Sequence, residues 1–96
     1  MFDWAQVESF EWDGGNSTKN LHKHGVTCKE AEEMFMVAPL VMPDPEHSAT
    51  EKRFRALGST AARRILHAAF AVRGRKIRPI SVRPANRKEK AIYENR

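Results

Sequence analysis

The chain's 96 residues and 11.0 kDa, 41% apolar and 30% charged with a mean hydropathy of −0.63, fit one soluble domain over 1–96 and exclude a disordered tail or a membrane span. Its lone cysteine, Cys28, can form neither an internal disulfide nor a thiolate zinc site, and Asp3 and Glu8 stand where a signal peptide carries cations, so a reducing cytoplasm is expected. The net charge of +5 is uneven: nine acids and three lysines give −6 over residues 1–50, whereas fourteen Lys and Arg and three acids give +11 over residues 51–96, a balance that attracts phosphates or an acidic protein.

Val7 to Trp12 alternates apolar and polar residues and predicts a short strand. Asp13-Gly14-Gly15 breaks it, and Asn16, Ser17 and Thr18 each offer an N-cap for a helix over Lys19 to His24 that Gly25 ends. Thr27 and Glu30 have capping-box spacing, Val26 and Ala31 that of a hydrophobic staple, and Ala31, Met34 and Phe35 share one face of the helix that follows. Pro39, Pro43 and Pro45 make Ala38 to Thr50 extended or looped, with room for a brief strand at Leu40-Val41-Met42.

Three strands are predicted next. Lys52 to Leu57 sets Arg53 and Arg55 against Phe54 and Ala56, one wet cationic face and one dry face. Arg64 to Val72 is apolar on both sides and belongs in the middle of a sheet; His67 alternates with its apolar residues and reads as a core histidine outside any site. Lys76 to Arg83 alternates Arg78, Ile80 and Val82 against Ile77, Pro79 and Ser81, and Pro79 points to an edge or a bulge. Gly58-Ser59-Thr60 and Arg73-Gly74-Arg75 serve as hairpin connections, which makes an antiparallel meander. Pro84 suits the first position of a C-terminal helix running to about Glu94.

Familiar catalytic signatures are missing. His22 and His24 are two apart and diverge on a helix, no zincin or phosphate-loop pattern occurs, and nothing forms a nucleophile elbow, so neither a metal nor a cofactor is expected. What remains is cationic. Phe10-Glu11-Trp12-Asp13, then Asn20-Leu21 with Lys23-His24-Gly25-Val26, resembles the opening of the BrnT toxin family. Pro45 and His47-Ser48 before Glu51, Arg53-Phe54 with Leu57-Gly58, and Ile80-Ser81 with Arg83, Ala85, Glu89 and Tyr93 are similar to its later blocks. The resemblance runs in order from Phe10 to Glu94. It implies a RelE-like α+β fold, a ribonuclease of a type II toxin–antitoxin system that arrests translation, and neutralisation by a BrnA antitoxin carrying a ribbon-helix-helix DNA-binding domain.

The chemistry also has a reading without the family. Cleaving RNA through its own 2′-hydroxyl takes a base for that proton, an acid for the leaving 5′-oxygen, and cations beside the phosphoryl oxygens; no metal is required. Arg53, Arg78 and Arg83 are candidate phosphate clamps, because a planar guanidinium grips two phosphate oxygens. Arg55, Arg87 and Lys88 extend the candidate RNA-binding set. His24, His47, Lys23 and Tyr93 are the candidates for proton transfer, and the histidines alone have an unperturbed pKa near neutrality. Each also has a structural reading: Lys23 and His24 suit a helix C-terminus, His47 a polar loop, Arg53 and Arg55 a solvated edge, and Glu89 with Tyr93 a helical surface pair.

The expectation is therefore an α+β fold in which a small antiparallel sheet is covered by two N-terminal helices, with a C-terminal helix beside it. It acts as a metal-independent endoribonuclease toxin whose partners are RNA and a BrnA-like antitoxin, and it reaches a DNA operator only through that antitoxin. A nucleic-acid-binding regulator without catalysis is the alternative that the same charge asymmetry permits. Arg53 and Arg83 are both expected to face solvent.

Overall fold

Alternating side chains over residues 53–84 fold into three long neighbouring strands, and the rest of the chain is arranged around them. The computed structural model describes residues 7–15, 22–47 and 51–96, the His47 side chain excepted. The candidate caps Asn16, Ser17 and Thr18, the helix start at Lys19, and Asn20, Leu21 and Ser48 lie outside the described residues.

The elements are β1 (Ser9–Phe10), α1 (Cys28–Met36), β2 (Leu40–Pro43), a 3-10 turn (Pro45–His47), β3 (Arg53–Ser59), β4 (Ile65–Arg73), β5 (Lys76–Pro84) and α2 (Arg87–Glu94). They build an α+β fold with one five-stranded sheet in the order β1-β5-β4-β3-β2, and β4 is central as expected. The meander β2 to β5 is antiparallel. The departure is β1, which shrinks to two residues and joins β5 in parallel, with Ser9 opposite Lys76 and Phe10 opposite Ile77. Its main-chain bonds continue on both sides, from Glu8 N to the Arg75 carbonyl at 2.7 Å and from Glu11 N to the Ile77 carbonyl at 2.8 Å.

Asp13 lies three residues beyond this strand, just before helical backbone. Its Oδ1 accepts a bond from Gly15 N at 2.7 Å, and the backbone is already helical at residues 14–15, earlier than the caps named above. The backbone is helical again at residues 22–24, and Gly25 with φ +65° closes that stretch. The capping box at α1 forms as its spacing predicts: Thr27 Oγ1 accepts from Glu30 N at 3.1 Å, and Glu30 Oε1 accepts from Thr27 N at 3.1 Å. An equivalent box starts α2, where Asn86 is the cap and Arg87, not Pro84, takes the first helical position; Pro84 stays in β5.

Ala31, Met34 and Phe35 of α1 pack on Ala56, Leu66, Ala68, Phe70, Ile77 and Val82 to make the main core. Phe35 meets Phe70 edge-on at 5.2 Å between ring centroids, and Phe70 stacks on Phe54 at 5.6 Å. Gly58 is a strand residue, not a turn residue: a Cβ there would collide with the Met34 carbonyl, so glycine is what lets α1 lie flat on β3. The β3–β4 turn comes later, with Arg63 at φ +64°. Gly74 at φ +60° opens the two-residue β4–β5 turn, a place where only glycine is unstrained.

The alternation expected in β5 is interrupted. Ala69 pairs with Ser81 but Phe70 pairs with Pro79, which leaves Ile80 as the extra residue of a bulge. Pro79 is accommodated there, beyond the reach of two-residue β1. Upstream of the bulge Ile77 and Pro79 face α1, downstream Val82 does, and Arg78, Ser81 and Arg83 share the other face.

Candidate active site

The sheet face turned away from α1 is read directly from the pairing. Three rows cross β3, β4 and β5: Arg53–Ala71–Arg78, Arg55–Ala69–Ser81 and Leu57–His67–Arg83. The small side chains of Ala71 and Ala69 in the middle column, flanked by long guanidinium stems, make a trough that runs up to His67. Paired strands lie about 4.8 Å apart, so the two arginine columns stand roughly 10 Å from each other. Ala71 is fully buried between Arg53 and Arg78, whereas Ala69 and Ser81 remain partly open as the floor. Leu57, Ala85 and Tyr93 form a second small core that seats α2 at one end of the trough.

Each arginine is held differently. Arg83 donates from Nη1 and Nη2 to the two carboxylate oxygens of Glu89 at 2.8 and 2.9 Å, a bidentate pair, and from Nη1 to the Pro84 carbonyl at 3.2 Å. It is therefore tied down, which corrects the expectation that it is a plain surface side chain. Arg78 Nη2 lies 3.3 Å from Asp13 Oδ2, and Arg53 Nη2 lies 3.9 Å from Glu51 Oε1. Arg55 is exposed on the trough, and Arg87 and Lys88 are exposed on the first turn of α2. None of these three has an ion-pair partner among the described residues.

His67 is the residue that sequence reasoning set aside. It is 5% exposed, as a core histidine should be, yet it belongs to the cationic face and is the direct cross-strand partner of Arg83. Its Nε2 is 3.8 Å from Glu89 Oε2. Burial first, then the charges of Arg83 and Arg55, pull the imidazole down to about 4 against the opposing pull of Glu89, so it is neutral at pH 7. The Arg83 hydrogen bonds, helped by the main-chain bond at Asn86, hold Glu89 at about 2 against its own desolvation. A signal existed in the sequence: His67 is two residues before Ala69, on the small-residue face of β4.

The proton-transfer candidates are scattered. The carbonyls of His24 and Gly25 accept from Arg64 at 3.3 and 2.9 Å, and Arg64 also bonds Glu30 of α1 at 3.1 Å. That places Lys23 and His24 at the β3–β4 turn on the α1 side, while the arginine trough lies on the other. His47 ends the 3-10 turn next to β3, and its side chain is outside the description. Tyr93 is 8% exposed under α2, with the Arg96 guanidinium 3.8 Å above its ring. The structure thus brings together Arg53, Arg55, Arg78 and Arg83, adds His67 and Glu89, and leaves Lys23 and His24 elsewhere.

The opposed charges of the two halves meet in the fold. Arg64 pairs with Glu30, Arg73 with Glu11, Arg75 with Glu8, and Arg78 with Asp13. The second half is consequently less bare than its charge count suggests, and of the trough arginines Arg55 has no ion-pair partner among the described residues.

Known proteins resemble this chain in sequence and in fold. The family model described as ribonuclease toxin, BrnT, of type II toxin-antitoxin system matches residues 12–89. The crystal structure of the Brucella abortus ribonuclease toxin BrnT is similar in fold, with a TM-score of 0.64 and 24% identity over 84% of this chain and 100% of that one. No curated protein matches the chain. With the family model spanning most of its length, the chain belongs to the BrnT family of ribonuclease toxins of type II toxin–antitoxin systems.

Proposed function

We propose that this chain cleaves RNA internally, without a metal, on the arginine trough, and that the trough is what an antitoxin must cover. The observation that carries the reading is the placement of Arg53, Arg55, Arg78 and Arg83 around a floor of small residues, at a spacing that admits a phosphodiester. In the reaction the 2′-oxygen bonds to phosphorus as its proton passes to a base. The bond from phosphorus to the 5′-oxygen breaks as an acid supplies that oxygen with a proton. Guanidinium groups stabilise the charge that builds on the phosphoryl oxygens. Arg53 and Arg83 are the catalytic clamps, and Arg55, Arg78, Arg87 and Lys88 hold the flanking backbone. His47 and Tyr93, with Lys23 and His24 farther off, are the side chains offered for proton transfer.

Cleavage of messenger RNA in the cytoplasm inhibits translation. A BrnA-like antitoxin with a ribbon-helix-helix domain neutralises the toxin with an acidic segment and alone contacts the operator DNA. Among the described residues no helix is long and apolar enough to cross a membrane. Purified protein incubated with RNA in excess EDTA should yield products ending in cyclic phosphate. RNA that is bound but left intact would support the alternative, a regulator that binds nucleic acid without catalysis.

A further inference from the structure

Arg83 cannot offer a phosphate its end-on fork in the arrangement described, because Nη1 and Nη2 each already hold a carboxylate oxygen of Glu89. A carboxylate and a phosphate compete for the same planar fork. If the phosphate wins, Glu89 does not follow, since the Asn86 main chain donates to its Oε1 at 2.9 Å and the capping box fixes it to the start of α2. Its side chain is only 15% exposed, so an unpaired carboxylate would be left in a poorly hydrated place. The nearest group able to compensate is His67, 3.8 Å away and 7% exposed at its side chain.

We propose that a substrate phosphate draws Arg83 away from Glu89, and that Glu89 then pairs with His67 as an imidazolium, so that His67 is the proton-holding residue behind the trough. The proton comes from solvent, and binding takes it up. The charged groups facing His67 are Arg55 from β3, Arg83 from β5 and Glu89 from α2, while Tyr93 of α2 packs against Leu57, the other cross-strand neighbour of His67. Phosphate binding acts on all three charges in one direction: it neutralises Arg55, removes Arg83 and frees Glu89. His67 is a positioning residue here, since it reaches the substrate through Glu89 and Arg83. The inference rests on the trough being the RNA site.

The experiment titrates the full chain with an RNA oligonucleotide made uncleavable by 2′-deoxy substitution, by calorimetry in buffers of different ionisation heat near pH 6. The wild type should bind and take up a fraction of a proton that grows as pH falls. His67→Gln and Glu89→Gln should each abolish that uptake. A wild-type NMR titration needs no variant: the His67 ring should titrate near 4 when free and at least about one pH unit higher when the oligonucleotide is bound. Binding with no proton uptake and an unmoved His67 titration overturns the coupling and leaves the RNA site standing. Uptake that persists in His67→Gln also overturns it. Absence of binding by the wild type overturns both.

Discussion

Gly58 of β3 lies so close under the Met34 carbonyl of α1 that a Cβ on it would collide with main chain. Main chain cannot rotate out of the way as a side chain can. Gly58→Ala should therefore lift α1 from the sheet at a cost of about 1 to 3 kcal/mol, the range of overpacked sites. Thermal unfolding should report it as a lowered Tm. An unchanged Tm would show that α1 rides higher than described.

Arg53 and Arg83 are expected to differ when each is replaced by alanine. Both should lose transition-state stabilisation of about 2 to 4 kcal/mol, by analogy with one oxyanion-hole donor, and growth arrest on expression should be relieved. Arg83→Ala alone should also lower stability, because it strands the buried carboxylate of Glu89. Cleavage rates and melting curves measured side by side decide this, and unchanged cleavage in both variants removes them from the site.

Acid stability should fall in two windows. His67 is held near 4 in the folded protein and is near 6.5 unfolded, so the unfolded chain binds its proton first and stability declines as pH falls from 6.5 to 4. Glu89 is held near 2 against an ordinary 4.5, so the stability from its pair is intact above 4.5 and is lost as pH falls toward 2. His67→Gln should flatten the upper window by about 2 to 3 kcal/mol and spare the lower one. Denaturant titrations at intervals from pH 7 to 3 measure both, and an upper window unaffected by the substitution would contradict the buried neutral imidazole.

Antitoxin association should slow as salt rises, because the unpaired cations Arg55, Arg87 and Lys88 border the surface to be covered. Arg87→Glu should lower the association rate several-fold with little effect on Tm, as the side chain is exposed on α2. Stopped-flow mixing across a salt series tests this, and a rate indifferent to both salt and charge reversal means that docking occurs elsewhere.

Local signals carried most of the elements. Thr27 with Glu30 and the Ala31-Met34-Phe35 face are encoded within a few residues, so α1 was readable in full. Other features depend on residues distant in the chain. Nothing near Ser9 says that it will pair in parallel with Lys76, and nothing near Gly58 announces the Met34 backbone above it. His67 shows both kinds of feature: alternation gave its burial, but the carboxylate beside it comes from α2, twenty-two residues later. Counting charge by halves likewise missed that Glu8, Glu11 and Asp13 fold back onto Arg75, Arg73 and Arg78.

Arg78 and Arg83 are five positions apart, and in an unbroken strand an odd separation sends two side chains to opposite sides. They line the same trough because the bulge takes Ile80 out of the pairing, so that the ladder counts four steps where the chain counts five. Were Ile80 drawn into regular pairing, no charge and no side chain would change, yet the strand would face a choice: carry Arg78 into the hydrocarbon interior, or turn Val82 out to water and Arg83 inward. The cationic surface of this toxin is thus set by parity as well as by composition, and a relative with the same arginines five apart but no bulge between them would present a different face.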